Sequence, residues 1–209
     1  SVFSHLAGSE DLRHSEFTKL QIERFEALSD KIMANLWYTP MRHLVNTGGI
    51  TNYPEAHYDM VRLGIGIHGF DPTQSHPDQV KIVSQLKCPI SQIKKIPAGE
   101  SIGYGRSGFA KKDLTIAIVP IGYADGYLRA FGNGKGKMMV SNVLVPTIGN
   151  ICMDMCMLDV THVPVKHGDE VTVFGEQPSI SELAEWIDTI PYEILTNVSQ
   201  RVKRVFLSE

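Results

Sequence analysis

The sequence lacks the features that mark membrane, secreted or nucleic-acid-binding proteins. No apolar run approaches the length of a membrane span, and no basic stretch followed by an apolar one marks a signal peptide. Lysine and arginine number 20 against 23 acidic residues, so the net charge of -3 leaves no basic excess for nucleic acid.

Cysteine is scarce, with Cys88, Cys152 and Cys156 the three in the chain. An odd number of thiols argues against a disulfide framework and favours the reducing cytoplasm. Cys152 and Cys156 have no second ligand pair nearby, so no metal site is expected. An initiator methionine is also lacking, and Ser1 leads directly into an apolar run. We therefore expect a segment of a longer protein.

The first third of the chain alternates strand and helix signals. Apolar runs at Val2–Ala7, His43–Asn46 and Met60–Gly69 predict strands, the last one apolar enough to be buried on both faces. Between the first two runs, Ser15-Glu16 marks a helix start, and apolar residues from Phe17 to Leu36 recur at a helical period. This rhythm is typical of parallel α/β units, although so few strands cannot close a (β/α)8 barrel.

Beyond the polar stretch at residues 71–78, where we expect the domain boundary, the pattern predicts a mostly β domain. A helix over Ser179–Ile190 interrupts it, with Ser179 and Glu182 spaced as a capping box. Glycine and proline turns separate strand-like runs at Gln85–Ile96, Leu114–Ile121, Lys137–Val145, Met155–Val160, Glu170–Phe174 and Arg201–Leu207.

One candidate site centres on an arginine inside an apolar run. Arg62 is costly to bury unless it is paired, and Gly64 follows it at the expected end of a parallel strand. Backbone N–H groups at such a place can bind phosphate. His5 ends the first apolar run and could join this site, whereas His43 is interpreted as a core or interface residue.

Three further clusters are ambiguous from spacing alone. Tyr104 stands between two glycines, which favours a tight turn with a packed ring. The segment 120–127 fits a turn as well as it fits a site at a strand end. At a strand period Met153, Met155 and Met157 share one face, where core packing is favoured over copper binding.

Taken together, these clusters resemble the alanine racemase family. The matching strings follow in order through nearly the whole chain, and they include Phe3–Ala7, Met60–Ile65 and Gly103-Tyr104-Gly105. The most specific strings are Gly122-Tyr123-Ala124-Asp125-Gly126 and Ile151-Cys152-Met153-Asp154.

The resemblance implies an α+β, multidomain fold. Residues 1–80 would be the C-terminal part of an incomplete (β/α)8 TIM-type barrel, and residues 81–209 would be the mostly β C-terminal domain. Members are homodimers in which each site uses the barrel of one subunit and the β domain of the other. The family's cofactor lysine lies near the start of the barrel, a segment not found here. We therefore expect the 209 residues alone to be inactive.

The implied function is isomerisation of L- and D-alanine with pyridoxal 5'-phosphate by two-base proton transfer, supplying D-alanine for peptidoglycan. Arg62 would face the pyridine nitrogen and leave it unprotonated, because an arginine keeps its own proton. Thr47, through its hydroxyl, and Gly64 and Ile65, through backbone N–H groups, would bind the phosphate. His5 would lie beside the cofactor ring, between Arg62 and the catalytic tyrosine.

The resemblance also places the substrate. Tyr104 would exchange a proton on one face of the α-carbon, and the family's lysine would serve the other face. Tyr123, Met153 and Asp154 would line the entrance, with the Met153 N–H near the substrate carboxylate. The chain departs from the family pattern at Asn150, where many members have Arg, at Gln200, where some have Tyr, and at His68, where Tyr is common.

Two other functions stay open from sequence. The chain could be a non-catalytic β-domain module that binds a partner, or part of a racemase that accepts serine or a broader set of amino acids. Racemase domains can also be fused behind a cell-wall ligase domain, which would account for a start without methionine.

Overall fold

The computed structural model describes residues 1–75 and 80–207, which divide into two compact units, Ser1–Ser84 and Gln85–Glu209. Residues 76–78 of the expected boundary stretch lie outside the described residues. In the described ranges, no helix has the length and apolar character needed to cross a bilayer. The fold combines α and β elements in the first unit and is mostly β in the second.

The first unit contains one parallel strand–helix–strand motif. Strand β1 (Val2–Phe3) pairs in parallel with β2 (Arg42–His43), and helix α1 (Ser15–Met33) connects them. Helix α2 (Thr47–Asn52) follows β2, and short 3-10 turns cover Leu12–His14, Pro54–Ala56 and Ile65–His68. The predicted helix and its start at Ser15 are confirmed, while both predicted strands are shorter than their apolar runs.

Helix α1 buries a different line of residues from the one that its apolar residues indicated. The buried positions are Thr18, Ile22, Phe25 and Ser29, which recur at helical spacing. Phe17 and Leu28 are 51% and 60% exposed, so the predicted apolar face is only partly the buried one. Ser29 can be buried because its hydroxyl donates to the Glu26 carbonyl at 3.0 Å.

The strand predicted over Met60–Gly69 is wrong. Residues 61–64 form no ladder, and the chain then turns into the 3-10 segment Ile65–His68. Gly64 adopts φ -99° and ψ -105°, a backbone outside the strand region, and its N–H donates to the Thr47 hydroxyl at 3.0 Å. Leu63 and Ile67 are 50% and 61% exposed, so the segment is not buried on both faces.

The second unit is built from antiparallel strands in two main sheets. One sheet has the order β3-β11-β8-β9, the other has the order β10-β7-β4, and β5 and β6 form a separate pair. The strands are β3 (Leu86–Pro89), β4 (Gln92–Ile96), β5 (Ser101–Ile102), β6 (Gly108–Phe109), β7 (Leu114–Val119), β8 (Lys137–Val140), β9 (Val143–Pro146), β10 (Cys156–Asp159) and β11 (Glu170–Phe174).

Two predicted strands of this unit are each divided in two. The run Gln85–Ile96 breaks at Ile90, whose N–H donates to the Asp169 carbonyl. The N–H of the next residue, Ser91, donates to the Ile118 carbonyl. The chain thereby passes from one sheet to the other. The run Lys137–Val145 is a hairpin whose turn residues Ser141 and Asn142 have φ of 47° and 62°.

The end of the chain also differs from expectation. The capping box of Ser179 and Glu182 is confirmed, but helix α3 ends at Trp186 (Ile180–Trp186), and a further helix α4 covers Pro191–Thr196. No strand forms over Arg201–Leu207. The Arg204 guanidinium instead donates to the carbonyls of Val198, Ser199 and Val202, which closes a turn.

The sulfur-rich segment does not pack as one face. Met153 and Met155 are 53% and 44% exposed, and Met157 alone of the three is buried, so core packing is the wrong interpretation for the first two. Strand β10 begins only at Cys156, which explains why the strand period does not extend to Met153.

Cys88, Cys152 and Cys156 are free thiols, as expected, and burial raises the pKa of Cys88 to about 12.

The core of the second unit contains a hydroxyl without a partner. Tyr127 is 2% exposed, stacks on Phe131 at 4.4 Å between ring centroids, and its hydroxyl makes no hydrogen bond among the described residues. Tyr127→Phe should therefore leave the free energy of unfolding unchanged or raise it by up to ~1 kcal/mol, since a buried unpaired hydroxyl is destabilising. Urea unfolding of the chain measures this change.

Tyr127→Leu is the matched control for the ring. It removes the stacked aromatic group and should lower the free energy of unfolding by about 1–3 kcal/mol. A loss of more than ~1 kcal/mol in the Phe variant would mean that the hydroxyl has a stabilising partner such as a buried water.

Candidate functional site

The first cluster of predicted site residues is organised by the guanidinium of Arg62. Its Nη1 donates to His43 Nδ1 at 2.7 Å and to the His43 carbonyl at 3.2 Å. Its Nη2 donates to the carbonyls of Ser4 and Leu44 at 2.7 and 2.9 Å and to His5 Nδ1 at 3.1 Å. Among the described residues Nε has no partner, so it can donate to a ligand. The structure therefore brings His5 and Arg62 together.

Both histidines take a defined tautomer from this contact. Arginine is always a donor, so each Nδ1 must accept, and each neutral ring carries its proton on Nε2. His43 is buried, stacks on Phe3 at 5.1 Å and lies 3.2 Å from the Ser1 hydroxyl through Nε2. Burial and then the Arg62 charge lower the pKa of His43. His43 was predicted to be a core or interface residue, and its contact with Arg62 was not predicted.

The second group of predicted residues surrounds the Thr47 hydroxyl. Thr47 begins α2 and is 7% exposed, and its oxygen accepts from the N–H groups of Gly64 and Gly66 at 3.0 and 3.4 Å. The N–H of Ile65 has no acceptor in the described part of the chain, and the Thr47 hydroxyl proton has none either. A hydroxyl and a backbone N–H that are both free to donate in one short segment can hold an anion such as a phosphate.

In the second unit, Tyr104 lies at the tip of a tight turn. Gly103, Gly105 and Arg106 have φ of 76°, 65° and 52°, so the predicted turn is confirmed. The ring is 73% exposed, so the expectation that it packs is wrong. Asn150 fixes the turn, because its Nδ2 donates to the Tyr104 carbonyl at 3.0 Å. A rigid turn that presents a phenol to solvent suits a residue that meets a ligand.

The residues predicted for the substrate entrance lie on two loops that touch. The N–H of Tyr123 donates to the Cys152 carbonyl, and the N–H of Ala124 donates to the Met153 carbonyl, both at 3.0 Å. A Cβ on Gly122 would lie 2.3 Å from the Cys152 oxygen, so only glycine permits this approach. The Met153 N–H has no acceptor among the described residues, which leaves it available to a ligand.

Arg201 links the same two loops by charge. Its Nε donates to Asp125 at 2.7 Å and its Nη2 donates to Asp154 at 2.6 Å. Burial raises the pKa of Asp125, but the hydrogen bonds from Arg201 and from the Gly122 N–H outweigh it, and the net pKa is lowered. Arg201 was predicted to lie in a strand and was missed as a site residue. The signal available in the sequence was its place directly after Gln200, a position already compared with the family.

Family models match both parts of the chain. The model of the alanine racemase N-terminal domain matches residues 1–72, and the model of the C-terminal domain matches residues 83–206. Alanine racemase 1 of Clostridium acetobutylicum is 36% identical over 99% of this chain and 55% of its own length. An alanine racemase of Clostridium tetani is 38% identical over 100% of this chain and 56% of its own length. The chain thus spans about half the length of the curated relatives it matches.

Solved structures agree with these matches. An alanine racemase from Bartonella henselae, described with covalently bound pyridoxal phosphate, has a TM-score of 0.87 and 34% identity over 99% of this chain and 56% of that one. The alanine racemase from the D-cycloserine producer Streptomyces lavendulae has a TM-score of 0.88 and 29% identity. The match covers 100% of this chain and 56% of that one.

The contact between His43 and Arg62 predicts a pH dependence of stability. Because the pKa of His43 is lowered from 6.5 on folding, the unfolded chain binds the proton better than the folded chain. Stability should be full above about pH 6.5 and should fall as the pH decreases below it. His43→Asn, whose amide oxygen can accept from Arg62, should reduce this fall. Urea unfolding at a series of pH values checks it.

The exposed His14 supplies the control, because it makes no contact with Arg62. His14→Asn should keep the wild-type dependence on pH. Identical slopes for wild type and His43→Asn would contradict the assignment of the titration to His43.

Proposed function

This chain belongs to the alanine racemase family, and on that premise we propose that the protein containing it interconverts L- and D-alanine with pyridoxal 5'-phosphate as cofactor. The observation that carries the proposal is the Arg62 guanidinium, whose other two nitrogens are fully engaged while Nε is left to donate. D-Alanine made in this way would supply peptidoglycan synthesis in the cytoplasm.

The residues present fit this cofactor at both of its ends. A pyridine nitrogen that keeps its lone pair would accept a hydrogen bond, and the free Nε of Arg62 is a donor. A phosphate needs several donors, and the Thr47 hydroxyl and the Ile65 N–H would supply two of them. Gly64 N–H itself donates to Thr47, so Ile65 is the backbone donor that would meet the phosphate. Thr47, Arg62, Gly64 and Ile65 form the proposed cofactor site.

The chemical roles follow from the donors. Pyridoxal phosphate, when bound, supplies an electron sink for the α-carbon of an amino acid. Arg62 keeps its proton and would leave the pyridine nitrogen unprotonated, which weakens that sink and limits side reactions. His5 accepts from Arg62 through Nδ1 at 3.1 Å, so its Nε2 carries a proton that can be donated to a phenol.

Tyr104 is the proposed acid/base group of this chain. Its exposed phenol would give or take the proton on one face of the α-carbon, opposite the family's lysine. Tyr123, Met153 and Asp154 would line the substrate entrance, and the free Met153 N–H would donate to the substrate carboxylate.

The architecture proposed for the complete protein follows the family. Residues 1–80 would complete a (β/α)8 barrel and residues 81–209 would form the β domain. Two copies would assemble into a homodimer in which Tyr104 of one copy serves the cofactor of the other. A non-catalytic interaction module has less support, because the relatives matched across the chain are named racemases.

Expression of the complete reading frame tests the proposed activity. The purified protein with pyridoxal phosphate should convert L-alanine to D-alanine, detected with a D-amino-acid oxidase, and L-serine run in parallel measures the breadth of specificity. The 209-residue chain assayed alone should give no turnover. Absence of D-alanine from the complete, cofactor-loaded protein would refute the proposal.

Tyr104→Phe in the complete protein tests the acid/base assignment. The ring is 73% exposed, so the variant should fold and bind cofactor normally. Solvent deuterium exchange into one alanine enantiomer should slow by about a hundredfold or more, because the proton-transferring group is gone. Tyr192→Phe, an exposed tyrosine outside the cluster, is the control. Wild-type exchange into both enantiomers would make Tyr104 a structural residue.

A further inference from the structure

Arg201 binds two carboxylates that come from two different loops. Its bonds to Asp125 at 2.7 Å and Asp154 at 2.6 Å reach residues that lie 76 and 47 positions earlier in the sequence. Asp125 ends the loop of Tyr123, and Asp154 directly follows Met153. The one guanidinium therefore joins the two loops of the proposed substrate entrance.

The backbone around Arg201 determines where its side chain can lie. The Ser199 N–H donates to the Asp125 carbonyl at 3.0 Å, which anchors the segment before Arg201 on the same loop. A Cβ on Gly126 would lie 2.3 Å from the Asn197 oxygen, so that segment and the loop are in direct backbone contact. Because the main chain is fixed on both sides of the pair, the guanidinium is held in place instead of swinging in solvent.

The charge of Asp154 matters for the neighbouring Met153 N–H. Among the described residues, Arg201 is the hydrogen-bond partner of the Asp154 carboxylate, which is 55% exposed. An unpaired carboxylate one residue from that N–H would repel a carboxylate ligand. Pairing with Arg201 reduces this repulsion and also turns the Asp154 oxygen toward the guanidinium.

We propose that Arg201 is a positioning residue for the substrate carboxylate. It holds the Tyr123 loop against the Met153 loop and offsets part of the negative charge at Asp154, so that a carboxylate can bind at the Met153 N–H. The inference rests on the proposed function for the identity of the ligand, an amino acid. The arrangement of the two loops by Arg201 does not depend on it.

Hydrogen exchange on the 209-residue chain tests the arrangement of the loops. Arg201→Gln should raise the exchange rates of the Tyr123 and Ala124 amides by about tenfold, because their acceptors are on the loop that Arg201 retains. Arg204→Gln is the matched control, since within the described residues the Arg204 side chain donates to carbonyls of its own segment alone. It should leave those two amides within about twofold of wild type. Increased exchange confined to residues 197–203 in Arg201→Gln would overturn the proposal.

Steady-state kinetics of the complete protein test the charge effect. Arg201→Gln should raise the KM for L-alanine by about tenfold with kcat changed less than about threefold, as expected for a loss of ground-state binding. Adding Asp154→Asn should recover part of the loss in KM, because the uncompensated charge is removed while the loops stay loosened, and Arg201→Lys should be intermediate. Failure of Asp154→Asn to recover any of this loss would refute the charge effect. If the wild type does not racemise alanine, the proposed function fails, and hydrogen exchange still decides the role of Arg201.

Discussion

The hydrogen bonds made by the Arg62 guanidinium are the interactions on which the first unit depends. The guanidinium is a permanent charge placed among the carbonyls of Ser4, His43 and Leu44, so two separate segments, one at Ser4 and one at His43-Leu44, must converge on it for its desolvation to be offset. That convergence fixes the neighbouring imidazoles, because each Nδ1 can only accept. The same bonds that hold the segments together also set the tautomer of His5. Structural and chemical roles are therefore carried by one side chain.

The second unit reaches comparable order by a different route. The loop of Tyr123 lies so close to the Cys152–Met153 backbone that Gly122 has no room for a Cβ, and so close to the Asn197–Val198 backbone that Gly126 has none either; paired amides and carbonyls fill these contacts. Arg201 then links the Tyr123 loop and the Met153 loop by its ion pairs with Asp125 and Asp154. A substituent at Gly122 would push the Tyr123 loop away from the Met153 loop, and one at Gly126 would push it away from the segment that leads to Arg201. In this unit close backbone contacts bring the loops together and ion pairs add to them, whereas in the Arg62 cluster a charged side chain brings the segments together.

Local chemistry decided how much of this could be predicted. Strand β11 and the capping box of α3 follow from alternation and from the Ser179–Glu182 spacing, which are properties of adjacent residues. The failures involve distant partners. Gly64 leaves the strand conformation because the Thr47 hydroxyl takes its N–H, and Arg204 turns the chain end by binding three carbonyls. Likewise His5 and Arg62 were predicted to meet, but His43 and Arg201 act through contacts that no local pattern encodes.

The segment from Asn150 to Asp154 contacts all the parts of the candidate site in the second unit. Asn150 stands where many family members carry arginine, and its neutral amide donates to the Tyr104 carbonyl. Cys152 and Met153 accept the amides of the opposite loop, and Asp154 accepts from Arg201. Three neighbouring stretches of the second unit are thus bound to one run of five residues. Because each contact uses a different atom of that run, the tyrosine turn, the entrance loop and the chain end can be held at once without competing for the same donor or acceptor.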